Sequence, residues 1–482
     1  MMGGCLVACM TTANLLAVTL TADFSTEVGR IRPELHSSGF GPTICSQTVQ
    51  DLEDVKSMGF AFARTHDWAL INPNERVCDY FHIFPLMHLD AKDPANYVFG
   101  PTDYLLKRTR EEAGLDVFFR LGTSIEHSGP KVHFNSLIPE DFDKVAEIFA
   151  GTVRHYNRGW ADGHRWNIRY WEIWNEPDGH NNMWCLPEGD GETAEERNER
   201  DPKRRAQFAK FFVTVLKRLK SEFGDTIRVG GPALCSYKED WFRPLLQACK
   251  EAGVAPDFIS WHGYRNNPMQ FNLEAECGRR MLDDFGFASC GMIVNEWHYF
   301  GHGDYTWGDM QRCSDPKAKA RIWSGPRSHN GIHSACFTLA ALANLQRSKL
   351  EQAYFYGCRH VGSWGFKDEL QSKYKVFHAL KLFGGLVKGT PVICASTSKG
   401  AYTTFATRSE TGRKTLLVVD YGGKDPQIEV DVKGVEPGAK ATCTVLDYTH
   451  DLSAHPVSFA DGKLTLVKPD GNSAAFLVEF AD

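Results

Sequence analysis

No Cys-x-x-Cys pair occurs among the 14 cysteines, which are scattered from Cys5 to Cys443. That removes the usual zinc-ribbon and thioredoxin-type sites and leaves buried free thiols as the plain expectation. No apolar run approaches the ~20 residues of a membrane span. No long basic block occurs either. Lys203-Arg204-Arg205 is the nearest, it lies among acidic residues, and the formal net charge is -6. A nucleic-acid or anionic-membrane partner, which would favour a basic patch, is not expected. There is no P-loop and no strand-linked Gly-x-Gly-x-x-Gly, so no cofactor is expected. His329 and His333 are four apart but lack the Glu of a zincin helix, so no metal is expected there. Met1 to Ala22 carries no charge and so lacks the basic start of a signal peptide. Leu6-Val7-Ala8-Cys9 has the form of a lipoprotein box, but too few residues precede it to build an apolar core. Met10 offers an alternative start, and the cytoplasm is the expected location.

What is present is a long chain with ample core material. The 482 residues, 42% of them hydrophobic, exceed one ordinary domain and suit a large barrel plus a smaller module. Short apolar runs recur, each followed by a helical or mixed segment. They begin near Gly39-Phe40 and continue at Phe60–Arg64, Leu115–Leu121, Tyr170–Trp174, Ile227–Gly231, Phe258–His262, Met292–Val294 and Ala353–Tyr356. Phe208, Phe211, Phe212, Val215, Leu216 and Leu219 share one helical face. Asp240 to Ala252 and Ile332 to Leu350 also read as helices. Eight such alternations predict a (β/α)8 TIM barrel, an α/β fold, over residues 35–388. Asn182 to Arg205 and Gly301 to Asn330 read as loop insertions at the catalytic face. After about Gly389 the pattern becomes short alternating strands with turn signals, predicting an antiparallel β-sandwich over 389–482. In residues 1–34 the alternating Thr19–Phe24 run is expected to join that sandwich.

Two carboxylates stand where barrels place their chemistry. Trp174-Asn175-Glu176-Pro177 closes the fourth barrel strand and Asn295-Glu296-Trp297 the seventh. Strand alternation predicts that Glu172, Trp174 and Glu176 face the same way, with Glu176 at the tip and Glu172 deeper as a paired structural carboxylate.

With these motifs the chain resembles the retaining glycosidases of clan A, and within them glycoside hydrolase family 39, which holds β-xylosidases and α-L-iduronidases. The resemblance covers the barrel, the C-terminal sandwich and the early strand. Trp174–Pro177 carries it most specifically. Arg64-Thr65-His66 is similar to the family's Arg-x-His, and Trp261–Tyr264 to its sixth-strand His and Tyr. The resemblance implies Glu176 as acid/base and Glu296 as nucleophile. It implies that Asn175 bonds the sugar 2-OH, that Tyr264 and Arg64 keep Glu296 ionised, and that His66 and His262 bind sugar or tune the acid/base. Trp364 and Phe366 fall where the eighth strand ends, resembling the clan's Trp-bearing segment. Trp184 follows the acid/base strand as a sugar platform or a loop anchor. The 12 Trp suit carbohydrate stacking and a large core equally. The pattern departs after Glu296, where Trp297-His298-Tyr299-Phe300 replaces small polar residues, which bears on substrate identity.

The expected activity is exo-acting, β-xylosidase-like hydrolysis of a glycoside or oligosaccharide. The alternatives are the same mechanism on another sugar, as in an arabinosidase, a galactosidase or an endo-acting hydrolase, and a non-catalytic carbohydrate-binding barrel. A homo-oligomer is compatible with the sequence.

Overall fold

A computed structural model describes residues 19–42, 49–66, 68, 76–124, 138–179, 183–184, 194–311, 316–323, 325–357, 362–368, 370–389 and 392–481. The expectations for residues 1–18 lie outside them. No helix among the described residues is long and apolar enough to cross a membrane.

Eight parallel strands close a barrel in chain order: β2 (Ser37–Ser38), β3 (Phe62–Arg64), β4 (Asp116–Leu121), β5 (Tyr170–Ile173), β6 (Arg228–Leu234), β7 (Phe258–Arg265), β8 (Gly291–Tyr299) and β9 (Gln352–Phe355). Strand β9 returns to β2 through Ser37 opposite Tyr354. Because strand side chains alternate, every second residue enters the barrel, and the interior fills in layers. The lowest layer is apolar: Phe118, Tyr170, Phe258, Ile293 and Tyr354, with Phe62 against them. Two residues further along the same strands stand Arg64, Arg120, Glu172, Ser260 and Asn295, all buried and polar. The aromatic plug thus seals the floor, and a polar layer sits directly above it.

Helices surround the strands for the expected reason. Phe142–Arg158 buries Val145, Ile148, Phe149, Val153 and Tyr156 on one face. Asp141 caps its start by accepting from the Lys144 N–H, and Gly159 ends it at φ 74°. The helix containing Phe208–Leu219 is longer than its apolar face, running from Ala194 to Phe223. The predicted insertion at Asn182–Arg205 is therefore helical from Ala194 onward. Its Glu, Arg and Lys are good helix formers that leave no apolar period to read. Gly301–Asn330 likewise contains two short helices, Trp307–Gln311 and Pro316–Trp323.

The predicted sandwich is one curled ten-stranded sheet. In chain order its strands are β1 (Thr19–Arg30), β10 (Val392–Ser396), β11 (Tyr402–Arg408), β12 (Lys414–Asp420), β13 (Gln427–Lys433), β14 (Lys440–Leu446), β15 (Asp451–His455), β16 (Ser458–Ala460), β17 (Lys463–Val467) and β18 (Ala474–Ala481). Strand β1 lies in its middle, antiparallel to β10 and parallel to β13. Both sheet faces are covered. Leu416, Val418, Phe476 and Val478 meet Leu20, Ala22 and Phe24 inside the curl. Leu417, Val419 and Ala475 join the barrel core instead. Tyr421 adds a hydrogen bond across this junction, donating to the Asn266 carbonyl at 2.6 Å.

Several histidines are locked into this packing as neutral rings. His36 sits between Phe60 and Phe383, its Nε2 2.8 Å from the Met58 carbonyl. Burial lowers its pKa to about 4. Burial also lowers His333, to about 4. For such a group the folded pKa lies below the unfolded one, so its contribution is intact above about pH 6.5 and is lost as pH falls towards 4. His36 alone is expected to cost about 2 kcal/mol of stability at about pH 5. Denaturant unfolding at neutral and mildly acidic pH checks this: His36→Gln should show a flatter pH dependence than the parent. An unchanged slope would remove burial of a neutral His36 as the cause.

Candidate functional site

The sequence places Arg64 at the end of β3, two residues above Phe62, so its side chain enters the barrel. It is fully buried there and reaches three partners. Nε donates to Glu172 Oε2 at 2.7 Å, Nη1 to Glu296 Oε1 at 2.7 Å and Nη2 to Asn175 Oδ1 at 2.8 Å. Burial by itself would lower the guanidinium pKa, but the charges of Glu172 and Glu296 outweigh it and leave the pKa raised. Glu172 also accepts from Ser260 Oγ and Asn295 Nδ2, each at 2.7 Å. It is the deep structural carboxylate that the sequence suggested.

Glu296 reaches the cleft because β8 is irregular. Against β7 the register passes from Val294 opposite Trp261 to Glu296 opposite His262, which leaves Asn295 as an extra residue. This bulge turns two consecutive side chains inward, Asn295 down to Glu172 and Glu296 up to the mouth. Trp297 then faces outward against Phe271 and Phe355.

Glu176 arrives differently. Strand β5 stops at Ile173, and Trp174 and Glu176 take positive φ of 75° and 46°. Non-glycine residues in that region are uncommon and concentrate where a side chain must be re-aimed. The turn corrects the expected alternation. Trp174 does not share the inward face with Glu172; it packs outward on Trp184 and Phe211.

The two carboxylates are held unequally. Glu296 has a side-chain exposure of 5% and receives Arg64, the Tyr264 hydroxyl at 2.8 Å and His66 Nε2 at 3.4 Å. Glu176 is 21% exposed, and its Oε1 lies 2.9 Å from His262 Nδ1. The same Nδ1 stands 3.3 Å from Glu296 Oε2, so His262 bridges the pair. Burial pushes the His262 pKa down, while the Glu296 charge and the hydrogen bond to Glu176 carry it above its ordinary value. One ligand-capable atom each of Glu176, His262 and Glu296 lies within 4.8 Å of the others. These are atoms that could hold a cation. Here each also belongs to the proton-sharing network just described.

An aromatic wall borders the pair. Trp364 meets Tyr264 at 5.5 Å, Tyr356 at 5.4 Å and Trp307 at 5.9 Å, the last nearly parallel. Trp307 is 46% exposed and stacks on Phe300. Behind Trp364, His298 and His329 stack at 4.1 Å. Both are kept neutral by burial, His298 with a pKa of about 3.

Of the residues singled out in the sequence, Glu176, Glu296, Asn175, Arg64, His66, His262, Tyr264 and Trp364 come together. Two do not. Trp184 is fully buried among Trp174, Phe208 and Phe211, which makes it an anchor with no ring face for a sugar. Phe366 is buried against Phe40 and Phe355. Sequence reasoning missed Ser260, Asn295, Trp307 and Tyr356. Ser260 was findable, since it lies two residues before His262 on the same strand face. Trp307 was not, because its position depends on how the Gly301–Asn330 segment folds back.

No family profile matches this chain. It is 27% identical over 219 residues to a beta-xylosidase from Caldicellulosiruptor saccharolyticus, covering 43% of this chain and 37% of that protein. It is 27% identical over 128 residues to a beta-xylosidase from Geobacillus stearothermophilus, covering 26% and 21% respectively. The chain thus spans well under half the length of these curated relatives. Its fold matches that of a glucosidase from Croceicoccus marinus with a TM-score of 0.71 at 18% identity, over 97% of this chain and 99% of that one.

Proposed function

We propose that this chain is a retaining glycoside hydrolase with Glu296 as nucleophile and Glu176 as acid/base. The observation that carries the proposal is the unequal holding of the two carboxylates. A cation and a phenol at hydrogen-bond distance favour the ionised form of Glu296. Glu176, more exposed and joined to the titratable His262, suits a group that must give and retake a proton. Their ligand-capable atoms lie within 4.8 Å, nearer the ~5–5.5 Å of retaining enzymes than the ~6.5–9.5 Å of inverting ones.

Glu296 attacks the anomeric carbon as Glu176 passes its proton to the departing oxygen. A glycosyl ester forms and the alcohol leaves. Glu176, now a carboxylate, takes a proton from water, whose oxygen attacks the same carbon and releases Glu296. Two inversions return the original configuration. Asn175, oriented by Arg64, is the partner we assign to the sugar 2-OH. For the substrate we infer a xylose- or arabinose-type glycoside, as the two named relatives are β-xylosidases. We infer membership of clan A near glycoside hydrolase family 39, a reading that the Trp174–Pro177 and Asn295–Trp297 motifs support. A nitrophenyl glycoside panel is the direct test of the sugar. We expect turnover of the β-xyloside or an arabinoside; hydrolysis of hexosides alone would redirect the substrate assignment.

Azide separates the two roles. Glu176→Ala should lose roughly 10²–10⁴-fold in kcat/KM on poor leaving groups and far less on a dinitrophenyl glycoside, which departs without a proton. Added azide should restore turnover and give a glycosyl azide of retained configuration. Glu296→Ala should not be helped by a good leaving group, and any azide product should be inverted. Proton NMR of the products reads both, and exchanged configurations would exchange the roles.

The pH profile tests Tyr264. Activity should be bell-shaped, with an acidic limb set by protonation of the nucleophile. Tyr264→Phe removes a donor to the ionised form, so that limb should move to higher pH. An unmoved limb with intact folding would rule out this part for Tyr264.

A further inference from the structure

Away from the cleft, three side chains converge on the outside of the barrel. Asp103 lies in the helix Gly100–Lys107, and His155 in the last turns of Phe142–Arg158. His164 lies in the connection that runs from that helix to β5. His155 Nε2 stands 3.0 Å from Asp103 Oδ1, and His164 Nε2 3.6 Å from the same oxygen. One ligand-capable atom of each lies within 4.8 Å of the other two.

Donor counting shows that the His155–Asp103 contact needs a bridging proton or cation. His155 Nδ1 is 3.0 Å from the Trp160 carbonyl, which can only accept, so Nδ1 must carry the hydrogen. In the neutral ring Nε2 then presents a lone pair to a carboxylate oxygen. Two acceptors 3.0 Å apart need a proton or a cation between them. His164 Nε2 is itself buried, with no hydrogen-bond partner among the described residues.

The rings are also fixed in direction. Phe99 stacks on His155 at 3.6 Å and 7°, and Trp166 on His164 at 3.8 Å and 11°. The backbone is tied in too, as the His164 N–H donates to the His155 carbonyl at 2.6 Å.

We propose that Asp103 Oδ1, His155 Nε2 and His164 Nε2 bind one divalent transition-metal ion, zinc by the chemistry of the set. With zinc–nitrogen and zinc–oxygen bonds of about 2.0–2.1 Å, tetrahedral ligands stand about 3.3–3.4 Å apart, and the observed 3.0 and 3.6 Å bracket that value. Two imidazoles and a carboxylate suit zinc, cobalt or nickel better than calcium or magnesium. The Nδ1 hydrogen bond of His155 to a carbonyl is the outer contact that orients metal-bound histidines. Asp103 and His164 are each about one-quarter exposed in their side chains, so the cluster lies close to the surface, and a water is the fourth ligand we assign. The ion would pin the connection ahead of β5, the strand that leads to Glu176, to the helix beside it.

The experiment uses the full chain without a histidine tag, stripped by chelator and titrated with Co2+ and then Zn2+. We expect the visible bands of tetrahedral Co2+ at one ion per chain, their displacement by Zn2+, and a melting temperature that rises with the logarithm of free zinc. His164→Gln should weaken Co2+ binding by roughly 100-fold or more, beyond what loss of an outer contact costs. Asp103→Asn, which preserves shape, should do the same while circular dichroism shows an intact fold. Glu176→Gln should leave the bands unchanged. Absence of bands and of any zinc effect on melting would overturn the proposal and leave an ordinary histidine–carboxylate pair. Bands lost in Glu176→Gln but kept in His164→Gln would overturn it equally, placing the ion in the cleft.

Discussion

Arg64 joins the halves of the site, and the rest of the barrel mouth is arranged around it. Its guanidinium is wholly out of water, so its charge needs compensation on every side. Glu172 supplies one charge from below and Glu296 another from above, while Asn175 takes the remaining hydrogen bond. A buried pair of this kind adds little net stability, but removing one partner strands the others at a cost of about 3–5 kcal/mol. The arrangement is therefore self-enforcing. Glu296 cannot readily leave its ionised form without unbalancing Arg64, and Arg64 cannot move without releasing Glu172. A carboxylate held in this way owes its state to the layer beneath it as much as to its immediate neighbours.

That layer follows from strand geometry. Each inward position of β3, β4, β5, β7 and β8 has an apolar residue at the floor and a polar one two residues later. The aromatic plug excludes water from below, which strengthens the electrostatics above it. Two local departures from regular strand then supply the carboxylates. The bulge at Asn295 adds a residue so that neighbouring side chains both turn inward. The positive φ of Trp174 and Glu176 swings one side chain out to the helices and the next but one into the cleft.

Much of this was legible in the sequence, and each failure has its own physical reason. Seven of the eight strands were readable because each holds a short apolar run between helical segments; the first, Ser37–Ser38, lies just ahead of the expected Gly39-Phe40. The candidate carboxylates were readable because Trp174–Pro177 and Asn295–Trp297 fall at strand ends. Side-chain alternation breaks at Trp174 because the chain leaves strand conformation at that residue. Trp184 and Phe366 were unreadable for a different reason. An aromatic ring suits a sugar face and a core equally, and only the third dimension decides between them. The helix from Ala194 to Arg205 escaped because a charged helix without an apolar stripe carries no period. The sheet's inclusion of Thr19–Phe24 was inferable from its polar–apolar alternation, which matches that of the strands after Gly389.

Strand β1 has a consequence in time. It is made early, yet its partners β10 and β13 begin at Val392 and Gln427. About 360 residues separate Arg30 from Val392, its partner in β10. At a synthesis rate of ~5–20 residues per second, Leu20, Ala22 and Phe24 wait roughly 20–70 s before a strand arrives to cover them. During that interval the barrel strands emerge and can close, so a growing chain would carry a finished barrel and one unmatched hydrophobic ribbon. Such a ribbon offers open edges to any other chain nearby. The late-born sheet must therefore thread its own earliest segment into its centre, and this step, more than barrel closure, is where assembly on the ribosome stands exposed to error.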